Sequence, residues 1–260
     1  MVAFLYRMPA GIPGNVTRTE HATVESCVLD STDYPTSFGV PVGIDASSHA
    51  LRKIKAGDAF SFVKGLYVRS YPMQGSANDA LGAVTPPGAT VINSVASYLT
   101  RGFMTVKCAL GTAAKNGRVY VRVGGANGST KIVGNIEAAA EVSVVAGAIT
   151  GTGTGSMTAS VTEDAVPGTY SVILASTSQT AKCAVVDPGG SRLGDATVGT
   201  PYSANGLSFT ITAAGTMTAG DSFAPVVTAN TIKLPSNTTF VGPADANGNT
   251  EIALDRKSVV

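Results

Sequence analysis

Asp30 and Asp33, three positions apart, are the first residues of this 260-residue chain whose types could do chemistry together. A pair of carboxylates can divide the acid and base roles of glycoside hydrolysis. Here the pair sits in a segment that Pro35 closes, where Asp ordinarily holds its own backbone in a turn, and it is read that way. His21 and His49 are the only histidines, and neither has a second His or Cys at metal-ligand spacing. Cys27, Cys108 and Cys183 are odd in number, widely spaced and without a CxxC pair. That argues against a disulfide framework and a zinc site, and predicts buried thiols in a reducing compartment. Asp245-Ala246-Asn247-Gly248-Asn249 lacks the twelfth-position acid of a calcium loop. Gly151-x-Gly153-x-Gly155 misses the GxGxxG spacing and reads as a flexible joint, no GxxxxGK[ST] loop occurs, and Gly189–Gly194 lacks the spacing of a nucleophile elbow. No catalytic, cofactor-binding or metal-binding residue is expected, and the chain is not read as an enzyme.

Composition narrows what is left. Hydrophobic residues make up 44% and charged residues only 13%, against roughly 25% charged in an average soluble domain. With 30 glycines, no tryptophan and abundant Val, Thr, Ala and Ser, this suits a β-rich protein whose surface partners cover in part. The net charge of +1 is unevenly spread. Glu20 to Asp45 holds five acids and no Lys or Arg, whereas Arg52 to Lys131 holds eleven basic residues against Asp58 and Asp79. Two readings stand: a basic part that lies on an acidic partner, or charges scattered around solvated rims. The six bases from Arg101 to Lys131 lack the interleaved aromatics of a base-stacking platform, so nucleic acid is not an expected partner. Met1–Tyr6 is too short an apolar run for a secretory signal, and no 18-residue apolar stretch could span a membrane.

Punctuation then sets the organisation. From Gly151 to Thr228, turns rich in Gly, Pro and Asp bound short β-prone runs: Ser156–Val161, Tyr170–Leu174, Lys182–Val186, Leu207–Thr212 and Phe223–Val227. Residues 151–228 are therefore read as an inserted, self-contained β-module. Residues 17–150 and 229–260 are read as one discontinuous domain, because the last short strands are too few to fold alone and must pair with earlier ones. Strands are expected at Thr23–Leu29, Leu66–Ser70, Phe103–Leu110 and Arg118–Val123, the last two as a hairpin around Asn116-Gly117. A helical turn is expected at Ile136–Glu141, another at most at Ala50–Ile54, and a long loop at Gln74–Thr90. Ala-Gly-Asp-x-Phe occurs twice, at Ala56–Phe60 and Ala219–Phe223, and reads as one turn solution used twice. Residues 1–16 form an extended N-terminal arm, since two prolines and two glycines between Met8 and Gly14 rule out a helix. Its anchors Phe4, Leu5, Tyr6 and Ile12 favour a strap that orders on a neighbour over a floppy end.

Met8–Arg18 resembles the N-terminal arm of tailed-bacteriophage capsid cement (decoration) proteins. Ile54–Phe60 with Gly65–Pro72, Arg101–Lys107, Gly117–Val123 and, most specifically, Phe240–Ala253 look like other parts of the same family. The 151–228 module lies outside that pattern and is similar to small β-domains attached to other phage head proteins. The resemblance implies an all-β protein, with 17–150 and 229–260 as a β-barrel-like frame and 151–228 as an Ig-like β-sandwich, on the outer surface of the head, where the frame bridges adjacent major capsid subunits and stabilises the shell against internal DNA pressure. It implies the major capsid protein as partner, self-association as a dimer or trimer at capsid symmetry axes, no membrane, and assembly in the host cytoplasm. Under it, Phe4, Tyr6, Arg7, Ile12, Arg18, Arg101, Lys107, Arg118 and Arg122 become the candidate capsid-binding residues. The alternative is a host- or carbohydrate-binding surface module displayed on the virion.

Overall fold

The computed structural model describes residues 11–69, 95–235 and 237–255. Its elements are strands, apart from two short 3-10 turns at Thr19–His21 and Phe60–Phe62. The protein is all-β. It divides into two units, Met1–Ala140 with Thr231–Val260, and Glu141–Asn230.

The first unit contains β1 (Thr23–Val28), β2 (Pro41–Ile44), β3 (Leu51–Lys53), β4 (Val63–Tyr67), β5 (Val95–Leu110), β6 (Tyr120–Arg122) and β7 (Ile136–Glu137). The second contains β8 (Val142–Val145), β9 (Ile149–Thr150), β10 (Gly155–Val161), β11 (Gly168–Thr169), β12 (Ser171–Leu174), β13 (Lys182–Val186), β14 (Arg192–Thr197), β15 (Tyr202–Ala204), β16 (Leu207–Ala213), β17 (Ser222–Phe223) and β18 (Val226–Ala229). The chain then returns to the first unit with β19 (Thr231–Lys233), β20 (Thr239–Phe240) and β21 (Asn249–Asp255).

β5 organises the first unit. At 16 residues it is far longer than the usual strand, and it pairs with β1, β4, β7 and β21. Its inward residues serve two cores. Ala96 and Tyr98 pack with Leu29, Val42, Leu51 and Tyr67. Leu99, Met104, Val106 and Cys108 pack with Val121, Ile136, Phe240 and Ile252. Such a strand must change course along its length, and Gly102 lets it do so. Its φ is +131°, and a Cβ there would stand 3.0 Å from the Ala22 Cα. β21 shows the simplest sequence logic: Thr250, Ile252 and Leu254 are buried and their neighbours are not, the period of a strand with one face on a core.

The ten-stranded sheet runs β19-β6-β7-β5-β4-β2-β3, with β1 and β21 also on β5 and β20 on β21. Among the described residues its strand ladders do not close into a barrel. One isolated parallel bridge, Leu29 to Leu51, links β3 back to the residue after β1.

Several local expectations are corrected. Ile136–Glu137 is not helical; it is a strand parallel to β5, because Ile136 fills the core and Glu137 meets a buried arginine. Leu51–Lys53 is likewise a strand, paired with β2. The Asn116-Gly117 turn exists, with Asn116 at φ +61° and the Gly117 N–H donating to the Ala114 carbonyl. It does not make a hairpin of its flanks: β5 takes β7 and β21, while β6 takes β7 and β19. The Gln74–Thr90 loop lies outside the described residues.

In the second unit three sheets, β10-β16-β15, β11-β18-β8 and β14-β13-β12-β17-β9, bury one core. Leu207, Phe209 and Ile211 of β16 alternate into it, with Val172 and Leu174 of β12 and Cys183 and Val185 of β13. The unit is larger than residues 151–228, because β8 pairs with β18 from Val142–Ala229 to Val145–Val226. At its ends the Asn230 N–H donates to the Glu141 carbonyl, and the Asn230 side-chain amide to Glu141 Oε1 at 3.0 Å. Gly151-x-Gly153 is not a flexible joint: both glycines lie against the Asp221 carboxylate, which accepts the Thr152 N–H at 3.0 Å and the Thr218 N–H at 2.8 Å.

Candidate interaction surface

Residues 14–16 of the expected arm, with Thr17 after them, run antiparallel to β5 of their own chain. Gly14 N–H donates to the Thr105 carbonyl, Thr105 N–H to Asn15, and Thr17 N–H to Phe103. Gly14 is needed there, with φ +87° and a Cβ position 2.5 Å from the Phe38 Cβ. Phe4, Tyr6 and Arg7 lie outside the described residues.

This stitching carries Arg18 onto β5. Its guanidinium lies 3.9 Å from the centre of the Phe103 ring and pairs with Glu251 of β21 at 3.3 Å. Glu251 also accepts a short hydrogen bond from the Thr17 hydroxyl. Two residues along, Arg101 pairs with Asp255 at 3.6 Å, and Lys107 stands opposite Asn249 in the same ladder. Arg18, Arg101 and Lys107 therefore share the β5–β21 ladder, and acids from β21 partner the two arginines. The face is of mixed charge rather than a basic patch. Phe103, Glu251 and Asp255 were not among the sequence candidates. Only the register of β21 against β5 brings them there, and a single sequence does not print that register.

Arg118 is exposed and bridges by its backbone to Thr239 of β20, which pairs with Ala253 of β21, so it stands beyond the β21 side of this ladder. Arg122 must be struck from the candidates. Its side chain is 1% exposed and bound to Glu137 by two hydrogen bonds of 2.5 and 2.8 Å, while Nη1 donates to the Gly124 carbonyl at 3.0 Å. A guanidinium held on both sides inside a core is not a contact surface.

Ile12 and Lys107 meet elsewhere. With Phe38, Val40, Ile132 and Asn135 they line an open groove of about 560 Å³ in the first unit. Among the described residues Lys107 is its one charged lining residue, and Asn247 and Asn249 add side-chain amides.

The acidic stretch is largely spent on local structure. Asp30 accepts the backbone N–H groups of Asp33 and Thr32, which hold its carboxyl below the usual range. Asp33 pairs with Lys53 and Lys55. Asp45 is held well below that range by hydrogen bonds from Ser47, Ser48 and Arg52. Burial pushes Asp58 up, but Arg52 and the Lys55 N–H outweigh it and leave its carboxyl lowered. Arg52 so ties Asp45 to Asp58 and stacks over Phe62 at 3.7 Å. Neither histidine joins a site: His21 ends a 3-10 turn and His49 holds φ +55°. Among the described residues no group of three or more His, Cys, Asp or Glu could hold a metal ion. No helix of the described residues is long and apolar enough to cross a membrane.

No curated protein matches the chain. A crystal structure of FlgL from Xanthomonas campestris aligns at 26% identity and a TM-score of 0.26. That alignment covers 35% of this chain and 30% of FlgL, so the chain spans less than a third of that protein, and a likeness this low carries no argument. The family comparison reaches further. Residues 1–166, more than half of the chain and including β5, match the model of the XM1 gp53 minor capsid protein, so the chain belongs to this family of phage minor capsid proteins, structural components of the virion that associate with other capsid components.

Proposed function

We propose that this protein sits on the outer surface of a tailed-phage head as a cement protein, bridging adjacent major capsid subunits and stabilising the shell against internal DNA pressure. It acts without catalysis and as a homo-oligomer, taken up during assembly in the host cytoplasm. Membership of a minor capsid family supports this reading, and the observation that carries it is the exposed pair Arg18 and Arg101 around Phe103. There, side chains 45% and 59% exposed at Arg18 and Arg101 combine charge with an aromatic platform. Individually weak contacts, repeated at many symmetry-related positions, raise the work needed to separate capsomers. The test is to heat DNA-filled heads with and without the protein. Bound heads are expected to retain their genome to higher temperature; equal retention by stripped heads overturns the reading.

One observation favours a second reading, a glycan-binding module. In the second unit Ser156, Thr158 and Ser160 of β10 stand opposite Thr212, Thr210 and Ser208 of β16, and β10, β15 and β16 carry no charged residue. A shallow depression of about 240 Å³ runs among Thr158, Ser160, Pro201 and Thr210. Micromolar binding of the full chain to a neutral glycan on an array would support this role; a blank array removes it.

A further inference from the structure

We propose that the groove of the first unit is a docking site for an extended segment of a neighbouring capsid chain, one in which apolar side chains flank a carboxylate. The inference rests on the bridging reading above and adds which surface takes which chemistry.

The argument begins with size and lining. About 560 Å³ falls within the range of sites that enclose a ligand rather than graze it. Ile12, Phe38, Val40 and Ile132 give it an apolar lining. Ile132 is 48% exposed, a large aliphatic surface left in water. Burying such a side chain is favourable, so this lining selects an apolar occupant. The rim selects its backbone. Asn135 is half-buried, and among the described residues its side-chain amide bonds to no protein group. An amide offers both donor and acceptor, which is what an extended main chain needs where no sheet edge is available.

Charge fixes the last property. Lys107 is exposed at the groove and, among the described residues, is the one charged residue that lines it, with no acid beside it. An occupant that brings a carboxylate to Lys107 gains a charge-assisted hydrogen bond, and one that brings Lys or Arg meets repulsion. The contrast with Arg18 and Arg101 is direct: those two already hold Glu251 and Asp255.

The test uses the full chain carrying p-benzoylphenylalanine at Ile132, bound to heads assembled without the protein, then irradiated and mapped by mass spectrometry. The expected product is a cross-link to one segment of the major capsid protein with an acidic residue among apolar ones. In parallel, Lys107→Glu is expected to lower head occupancy about tenfold, whereas Lys64→Glu, an exposed lysine of β4 outside the groove, leaves it near the parent value. Circular dichroism of both variants confirms an unchanged fold. Cross-links only to this chain, whether to its own residues or to a second copy, overturn the proposal. So does normal occupancy with no cross-link and no effect of Lys107→Glu, an outcome that leaves the bridging reading intact. Failure of the parent chain to bind heads at all sinks both.

Discussion

Arg122 and Glu137 form a fully enclosed ion pair, with side chains 1% and 2% exposed, at the point where the short parallel strand β7 joins β6 to β5. Their fork-to-fork geometry satisfies both groups, so the cost of desolvating them is met only while both are present. Removing one leaves a bare charge in a core. Glu137→Ala and Arg122→Ala are each expected to destabilise the protein by about 3–5 kcal/mol. Replacing both with residues of similar volume, Arg122→Met with Glu137→Leu, is expected to cost far less than the sum. Denaturant midpoints of the three variants check this, and additivity within about 0.5 kcal/mol would show that the two side chains act independently.

Gly102 is a second place where one atom decides the fold. At φ +131° an L-residue is strained, and the Ala22 Cα lies 3.0 Å from where its Cβ would go. Gly102→Val combines the strain with overpacking against backbone that cannot rotate aside, for an expected loss of about 2–4 kcal/mol. The neighbouring exposed position provides the control: Arg101→Val should change stability by about 0.5 kcal/mol or less. Thermal unfolding of the two variants separates them, and a Gly102→Val protein as stable as its parent would mean that β5 can straighten there.

Low pH should loosen the structure, and the sign follows from the direction of the carboxyl shifts. Asp30, Asp45, Asp58 and Asp221 all titrate lower in the folded protein than their ordinary values. The folded state therefore binds these protons more weakly than the unfolded chain does. Their stabilisation is fully present above the ordinary carboxyl range near pH 4, and is lost as pH falls through the lowered folded values. Unfolding free energy measured between about pH 6 and pH 2 should fall steadily at the acid end. Asp58→Asn, which breaks the Arg52 tie and weakens the acceptor of the Lys55 N–H, should be less stable at pH 6 and show a shallower slope below pH 4. An unchanged slope would mean that Asp58 titrates alike in both states.

What was legible in the sequence was what local chemistry decides. The two Ala-Gly-Asp turns are the same device: Asp58 accepts the Lys55 N–H at 2.7 Å and Asp221 the Thr218 N–H at 2.8 Å, each from three residues back, with Gly57 and Gly220 at φ +82° and +88°. Strands such as β16 and β21 announce themselves by alternation. What could not be read is partner choice at long range. Asn116-Gly117 turns the chain as such a pair should, yet its flanks pair elsewhere, because Met104 and Val106 share a core with Ile252 and Leu254 of a strand more than a hundred residues later. Arg122 looked like one more surface base because its carboxylate, Glu137, sat in an alanine-rich stretch that read as a helical turn. For the candidate surface, Arg18, Arg101 and Lys107 were visible as basic residues, but the register that hands two of them to acids was not.

The three thiols should differ in reactivity by their surroundings alone. All are free. Cys183 is completely buried in the second unit, and burial, aided by Asp195, pushes its thiol up to about 11. Burial also raises Cys108, which donates to the Leu110 carbonyl. Cys27, on β1, is only half-buried. Because the thiolate is the reactive species, a buried thiol with a raised pKa is protected twice, by access and by ionisation. At pH 8 a thiol-directed reagent such as iodoacetamide should modify Cys27 first, with Cys108 and Cys183 modified only as the protein unfolds. Peptide mapping over time in buffer and in denaturant reads this directly. Rapid labelling of Cys183 in buffer would mean that the core of the second unit opens readily, contrary to the packing of Val172, Leu174 and Phe209 in the same core.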